Sequence, residues 1–320
     1  MKNIKISDLK DFKIGHAQDL KNATGCTVIL SEKGATAGVD VRGGGPATRE
    51  TDLLNPKNMV EKIHAVTLSG GSAFGLEASC GVMEYLSEHN IGFDMKNIYI
   101  PIVCGASLFD CSVANPKAYP DKKMGYKACL NAYKELPEQG NVGAGTGASV
   151  GKFLGFEKAM KSGLGHAAIQ VGEIQVGAIV AVNACGDVFF PNSNTPIAGM
   201  YDYENQCYIN TEETILNMVE KMQSSCGMNT TIGCILTNAI LTKAQANKVA
   251  SVAHNAYAHC IHPVHTSNDG DTIFTMASDQ IEANPDLIGI MAVKAMEQAI
   301  VNATTQATSA YNLLSYSDVK

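Results

Sequence analysis

The chain has 320 residues, 45% of them hydrophobic and 17% charged, which supplies a packed core and leaves little for disorder. A formal net charge of -7 argues against non-specific binding to nucleic acid or anionic lipid, since both need clustered Lys and Arg. One domain over residues 1–320 that acts on a small molecule is the expectation. The N-terminus becomes charged before any signal-peptide core forms, and no apolar run approaches a membrane span. None of the ten cysteines falls in a C-x-x-C pair, so Cys26, Cys80, Cys185 and Cys234 read as small buried hydrophobes. A cytoplasmic location fits these features.

In chain order, residues 27–30 and 37–41 are β-branched runs around Ser31-Glu32-Lys33-Gly34, which predicts a β-hairpin. A strand at 65–68 meets the turn Ser69-Gly70-Gly71-Ser72, and a helix follows with Leu76, Cys80, Met83 and Leu86 at helical spacing, ending at Asn90 and Gly92. Gly70, Gly71, Gly75 and Gly81 suggest close packing against a strand. Residues 168–171 and 176–182 form a second expected hairpin about Gly172-Glu173. After a strand beyond Thr231, Thr242 and Gln245 make a capping box for a helix with the stripe Val249, Val252, Ala253, Ala256, Tyr257 and Cys260, stopped by Pro263. Asn284-Pro285 opens the last helix, with Leu287, Ile290, Met291, Val293 and Ile300 as its apolar face. Strands and helices arrive in blocks, which predicts an α/β (α+β) fold of mainly antiparallel sheets covered by helices.

Several motifs carry possible chemistry. Gly143-Ala144-Gly145-Thr146-Gly147-Ala148 has the letters of a dinucleotide-binding turn, yet residues 134–140 before it read as a loop rather than a strand. A P-loop would need Gly at Thr146 and Ser or Thr at Phe153. The segment is therefore either a surface loop or a loop that nears substrate and delivers the Lys152 ammonium to a buried site. His254, His259, His262 and His265, with Cys260, lack metal-site spacing, because Pro263 breaks the helix before His265 and no acid sits at a zinc-motif position. They read as caps or a polar helix face, and no metal or other cofactor is expected. Asp269 and Asp271 form an ordinary acidic turn unless they lie beside Thr230, where alternate residues could share a face. Asn183, at a strand end, is a turn residue or a donor to an oxyanion.

Asn229-Thr230-Thr231-Ile232-Gly233 sets hydroxyls directly before the apolar run Cys234-Ile235-Leu236. A threonine that becomes a new N-terminus holds both a nucleophile, Oγ, and a base, the freed α-amine. The step predicts self-cleavage between Asn229 and Thr230.

Together these segments resemble the self-processing N-terminal-nucleophile aminopeptidases of peptidase family S58, which include L-aminopeptidase/D-esterases, β-aminopeptidases and nylon-oligomer hydrolases. The resemblance runs over nearly the whole chain. It is carried by Val41-Arg42-Gly43-Gly44-Gly45-Pro46-Ala47-Thr48-Arg49-Glu50-Thr51, Leu68-Ser69-Gly70-Gly71-Ser72-Ala73-Phe74-Gly75-Leu76, the segment from Gly143 to Lys152, and Asn229-Thr230. It implies a four-layer αββα sandwich with two mainly antiparallel sheets between helix layers. It also implies cleavage into a large chain, 1–229, and a small chain, 230–320, with processed pairs assembling symmetrically as a homo-oligomer, a tetramer of pairs.

Carried over by residue, Thr230 is the nucleophile, with Thr231 the one-position fallback, and Asn229 supplies the carbonyl attacked during processing. Asn183 matches the oxyanion-side asparagine. Lys152, Asp269 and Asp271 match positions of the nylon-hydrolysing branch. Members closest to the D-stereospecific aminopeptidase have serine as nucleophile, and a serine with a carboxylate in the later motif, so this chain departs from them. The implied activity is amide hydrolysis of small peptides or amino amides, with 6-aminohexanoate oligomers as an alternative. The rivals are acyl transfer like that of ornithine acetyltransferases and a non-catalytic binding protein on the same scaffold.

Overall fold

The computed structural model describes residues 1–96, 98–134, 136–218 and 229–319. Ten strands make one hydrogen-bonded sheet: β1 (Lys2–Ile4), β2 (Lys13–Asp19), β3 (Thr24–Val41), β4 (Ala47–Arg49), β5 (Lys62–Ser69), β6 (Val103–Ser107), β7 (Leu164–Val171), β8 (Ile174–Ala181), β9 (Ile232–Ala239) and β10 (Thr272–Ile281). Their order is β1-β7-β8-β9-β10-β3-β5-β6-β4, with β2 also on β3. Pairing is antiparallel except for β9 with β10 and β5 with β6. The expected hairpin at Gly172 is formed, as β7 and β8.

The first expected hairpin is not. Residues 31–34 bulge opposite His64 of β5, with Leu30 facing Ala65 and Ala35 facing Ile63, and the chain continues forward as one strand of 18 residues. The reason lies in the partners: residues 24–30 pair with β2, and residues 36–41 pair with β10. Each apolar run has its own neighbour, so neither folds back on the other. Because β3 runs through both halves, the two expected sheets are joined into one path.

Among the described residues five helices accompany the sheet: α1 (Ala78–Glu88), α2 (Lys122–Asn131), a short α3 (Thr211–Asn217), α4 (Lys243–Cys260) and α5 (Pro285–Thr305). Alternation along the strands divides the core. Val176, Val180, Ile235 and Ile273 face outward onto Val249, Ala253 and Tyr257 of α4 and Met291, Met296 and Ile300 of α5. Val28, Leu30, Ala65 and Val103 face α1 and α2 through Val82, Leu86, Ala128 and Cys129. Between these clusters, Ile29, Val66, Leu68, Cys104 and Ala106 meet Ile179, Ile232, Cys234, Leu236, Phe274 and Met276, so the two halves of the sheet bury their inner faces on each other.

The caps form as expected: Thr242 and Gln245 close their capping box, and the Asn284 side chain accepts from the Asp286 amide with Pro285 in the first turn. Two stripes are displaced. In α1 the large buried residues are Val82, Tyr85 and Leu86, with Ala78, Ser79 and Gly81 beside them, while Cys80 is exposed and Met83, like Leu76 just before the helix, is only half-buried. In α5 Ile290 is exposed, Leu287 and Val293 are partly buried, and the alanines 292, 295 and 299 join Ile288, Met291, Met296 and Ile300 inside. The glycine at 81 serves a helix rather than a strand: a methyl group there would stand 1.8 Å from the Lys122 carbonyl oxygen of α2. Cys26 and Cys234 are buried and free as expected, but Cys80 is exposed and Cys185 is disulfide-bonded. Among the described residues no helix is long and apolar enough to cross a membrane.

Candidate active site

Strand direction assembles the site. Since β9 and β10 are parallel, the residues just before each lie at the same end of the sheet; since β8 is antiparallel to β9, its exit lies there too. Thr230 precedes β9, Asp269 and Asp271 precede β10, and Asn183 follows β8. Thr230 N–H donates to the Asn183 carbonyl (3.1 Å), Asn229 N–H to Asn268 O (3.2 Å), and Thr272 N–H to Thr231 O (3.1 Å).

The Asn229 carbonyl oxygen receives two donors. The Gly270 amide reaches it at 3.0 Å, and the Thr230 hydroxyl donates to it from the other side of the peptide bond. Gly270 is also where a side chain has no room, since a methyl group there would sit 2.8 Å from Thr230 Oγ1. The Thr231 amide donates instead to Asp271 Oδ1 (2.7 Å).

Lys152 arrives through the glycine-rich segment. Residues 143–150 are buried throughout, which rules out the surface-loop reading; residues 136–139 preceding them are loop as expected, and Glu135 lies outside the described residues. Ser149–Val150 pairs with Met160–Lys161, and the Gly151 and Lys152 amides then donate to Gly186 O and Cys185 O (both 3.1 Å). That anchors the Lys152 ammonium on Asn183, at 3.0 Å from its carbonyl oxygen and 2.8 Å from Oδ1. Oδ1 also accepts from the Ser149 amide (3.1 Å), and the amide nitrogen Nδ2 donates to Phe109 O (2.9 Å). Asn183 is thus fully buried and bonded at both ends.

Burial dominates the charges. It brings Lys152 down to about 7 against the pull of Asp269 and Asp110, and raises Asp269 to about 6 with help from the Asp271 charge. Asp269 Oδ2 accepts from the Thr266 amide (2.8 Å), while Oδ1 has no hydrogen-bond partner among the described residues. Asp110, unremarkable in the sequence, is buried, accepts from the Gly71 amide (2.7 Å), and is likewise lifted by burial to about 6. A second buried lysine, Lys161, donates to Gly145 O (3.1 Å), Ala148 O (3.0 Å) and Ser162 O, tying the glycine-rich segment down.

The histidines are spread over separate tasks. His262 Nε2 meets Ala258 O at the end of α4 (2.9 Å), His259 pairs with Glu297 (2.6 Å), and His254 Nε2 meets Asp40 O (3.0 Å). His265 alone reaches the site, through Asp271 Oδ2 (2.8 Å). Sequence reasoning missed Gly270, Asp110 and this use of His265. Their signals are a backbone amide and turn geometry, which residue type does not spell out.

The fold is shared with solved structures, one of them described as a variant of the Ntn-hydrolase fold. L-aminopeptidase D-Ala-esterase/amidase from Ochrobactrum anthropi has it, with a TM-score of 0.73 at 18% identity over 96% of this chain and 88% of that one. A Burkholderia sp. β-aminopeptidase follows at 0.66 and 19%, over 95% and 86%. The chain belongs to Peptidase family S58, whose defining pattern matches residues 4–313. An uncharacterized aminopeptidase of Mycobacterium leprae is 38% identical over 87% of this chain and 79% of its own length. The 6-aminohexanoate-oligomer endohydrolase of Paenarthrobacter ureafaciens is 30% identical over 92% and 84%.

Proposed function

We propose that the chain is a self-cleaving amidohydrolase whose nucleophile is Thr230. In the processing step Thr230 Oγ attacks the Asn229 carbonyl carbon, the C–N bond breaks, and the nitrogen leaves as the new α-amine. The resulting ester is hydrolysed by water, giving chains 1–229 and 230–320. The observation that carries this reading is the scissile carbonyl oxygen held between the Thr230 hydroxyl and the Gly270 amide, where backbone N–H stabilises a developing oxyanion. Thr231 lacks that placement, its buried hydroxyl having no hydrogen-bond partner among the described residues.

In the cut enzyme the Thr230 amine takes the proton from its own Oγ, and an acyl-enzyme forms and hydrolyses. Lys152 sits on the same Asn183 carbonyl as the Thr230 nitrogen, and a cation so placed keeps a larger share of the amine neutral. Asp269 and Asp271 orient the amine, and the open Oδ1 of Asp269 is the acceptor it would use. Asn183 holds Lys152 and contributes its remaining amide hydrogen to the oxyanion. The substrates are small peptides or amino amides. ω-Amino amides are the second reading, supported by the similarity to a 6-aminohexanoate-oligomer endohydrolase.

Denaturing electrophoresis with intact-mass measurement tests the first step. Wild type should give masses for 1–229 and 230–320, and Thr230→Ala a single full-length mass. Two pieces from Thr230→Ala would remove Thr230 from the reaction.

A further inference from the structure

His265 is held in an unusual conformation for its size. Its φ is +59°, in the left-handed region that favours glycine and that residues with a side chain enter uncommonly. The turn uses this conformation to aim two donors of one residue at one oxygen. The His265 amide (3.1 Å) and ring Nδ1 (2.8 Å) both meet Asp271 Oδ2. The other carboxylate oxygen holds the Thr231 amide, next in sequence to the nucleophile. An ionised carboxylate only accepts, so Nδ1 carries the proton.

The ring is fixed from its far side by α4. His254 lies edge-on to it with centroids 4.8 Å apart, and Tyr257 lies at 6.0 Å. His254 is itself anchored through Nε2 on the Asp40 carbonyl, and burial keeps it neutral. His265 Nε2, His254 Nδ1 and the Tyr257 hydroxyl are all buried without partners among the described residues.

We propose that His265 is a positioning residue of this site: it clamps Asp271, and through Asp271 it sets the backbone on which Thr230 is presented. The proposal rests on Thr230 being the nucleophile.

The test compares His265→Gly with His265→Asn. Both residues accept the left-handed backbone, but only asparagine offers a side-chain donor near the place of Nδ1. Pulse-chase labelling of the full chain, read on denaturing gels, gives the half-time of cleavage. Glycine should slow cleavage about tenfold or more, as loss of orientation does, and asparagine should restore it to within about threefold of wild type. Thermal unfolding should show both variants folded. Cleavage at the wild-type rate in His265→Gly, or equal slowing in the two variants, overturns the proposal. A wild type that stays uncut overturns the reading beneath it as well, and is recognisable without any His265 variant. An independent measurement needs no change at 265: nitrogen-15 spectra of Thr230→Ala should find His265 protonated at Nδ1, and protonation at Nε2 alone would overturn the clamp.

Discussion

At the site, single atoms matter more than residue types. Thr230, Lys152, Asn183, Asp269 and Asp271 could be named from motifs, and they meet at one end of the sheet. Gly270 could not, because its contribution is an N–H and an empty place beside Oγ1, and the letter G in an Asx-Gly turn carries neither. The two shifted groups set an expected pH dependence. In the proposed mechanism Asp269 holds the amine as a carboxylate, and at about 6 it loses its proton as pH rises. The same mechanism uses Lys152 as a cation, and at about 7 it loses that charge on further rise. The pH profile of kcat/KM for an amino-acid p-nitroanilide should therefore climb through about 6, fall from about 7, and leave a narrow maximum between. Lys152→Met should lower the maximum by roughly a hundredfold and abolish the alkaline limb; an unchanged limb in that variant would assign it to another group.

Elements were legible where the signal is local and obscure where a partner decides. Thr242 with Gln245, and Asn284 with Pro285, satisfy amides within their own first turns, so the sequence alone places those helix starts. The turn chemistry at 31–34 was equally clear and equally local, but β2 and β10 compete for the flanking runs and win. The helix stripes slipped because small residues do the burying. Gly81 and Gly125 let α1 and α2 approach so closely that a methyl group at Gly125 would come within 1.9 Å of the Ala78 carbonyl oxygen. Gly125→Ala should therefore destabilise the protein by about 1–3 kcal/mol, despite alanine's better helix propensity. Denaturant unfolding measures this; a stabilised variant would show that the two helices can move apart freely.

Over the whole molecule, the α/β class followed from the block order of elements, but the strand order did not. Pairing β9 with β10 in parallel requires α4 to cross between them, and no local pattern states which strands become neighbours. Buried charge has a consequence at this scale too. Lys152 and Lys161 fall from 10.5 to about 7 on folding, so above pH 7 the unfolded chain binds more protons and stability rises with pH. The buried thiols act oppositely: Cys26 and Cys260 are raised from 9.0 to about 12 and Cys104, Cys129 and Cys234 also rise, so above about pH 9 the folded state binds more protons and stability falls. The urea midpoint of uncut Thr230→Ala should peak near pH 9, and a steady decline from pH 7 would contradict the lysine contribution. The placing of β9 and β10 side by side, with β8 and β3 on either flank, reaches further. A bond cut before Thr230 leaves the shorter piece wedged as two central strands between strands of the longer one. Refolding then becomes a meeting of two molecules, second order in concentration, whereas the uncut chain refolds alone at any dilution.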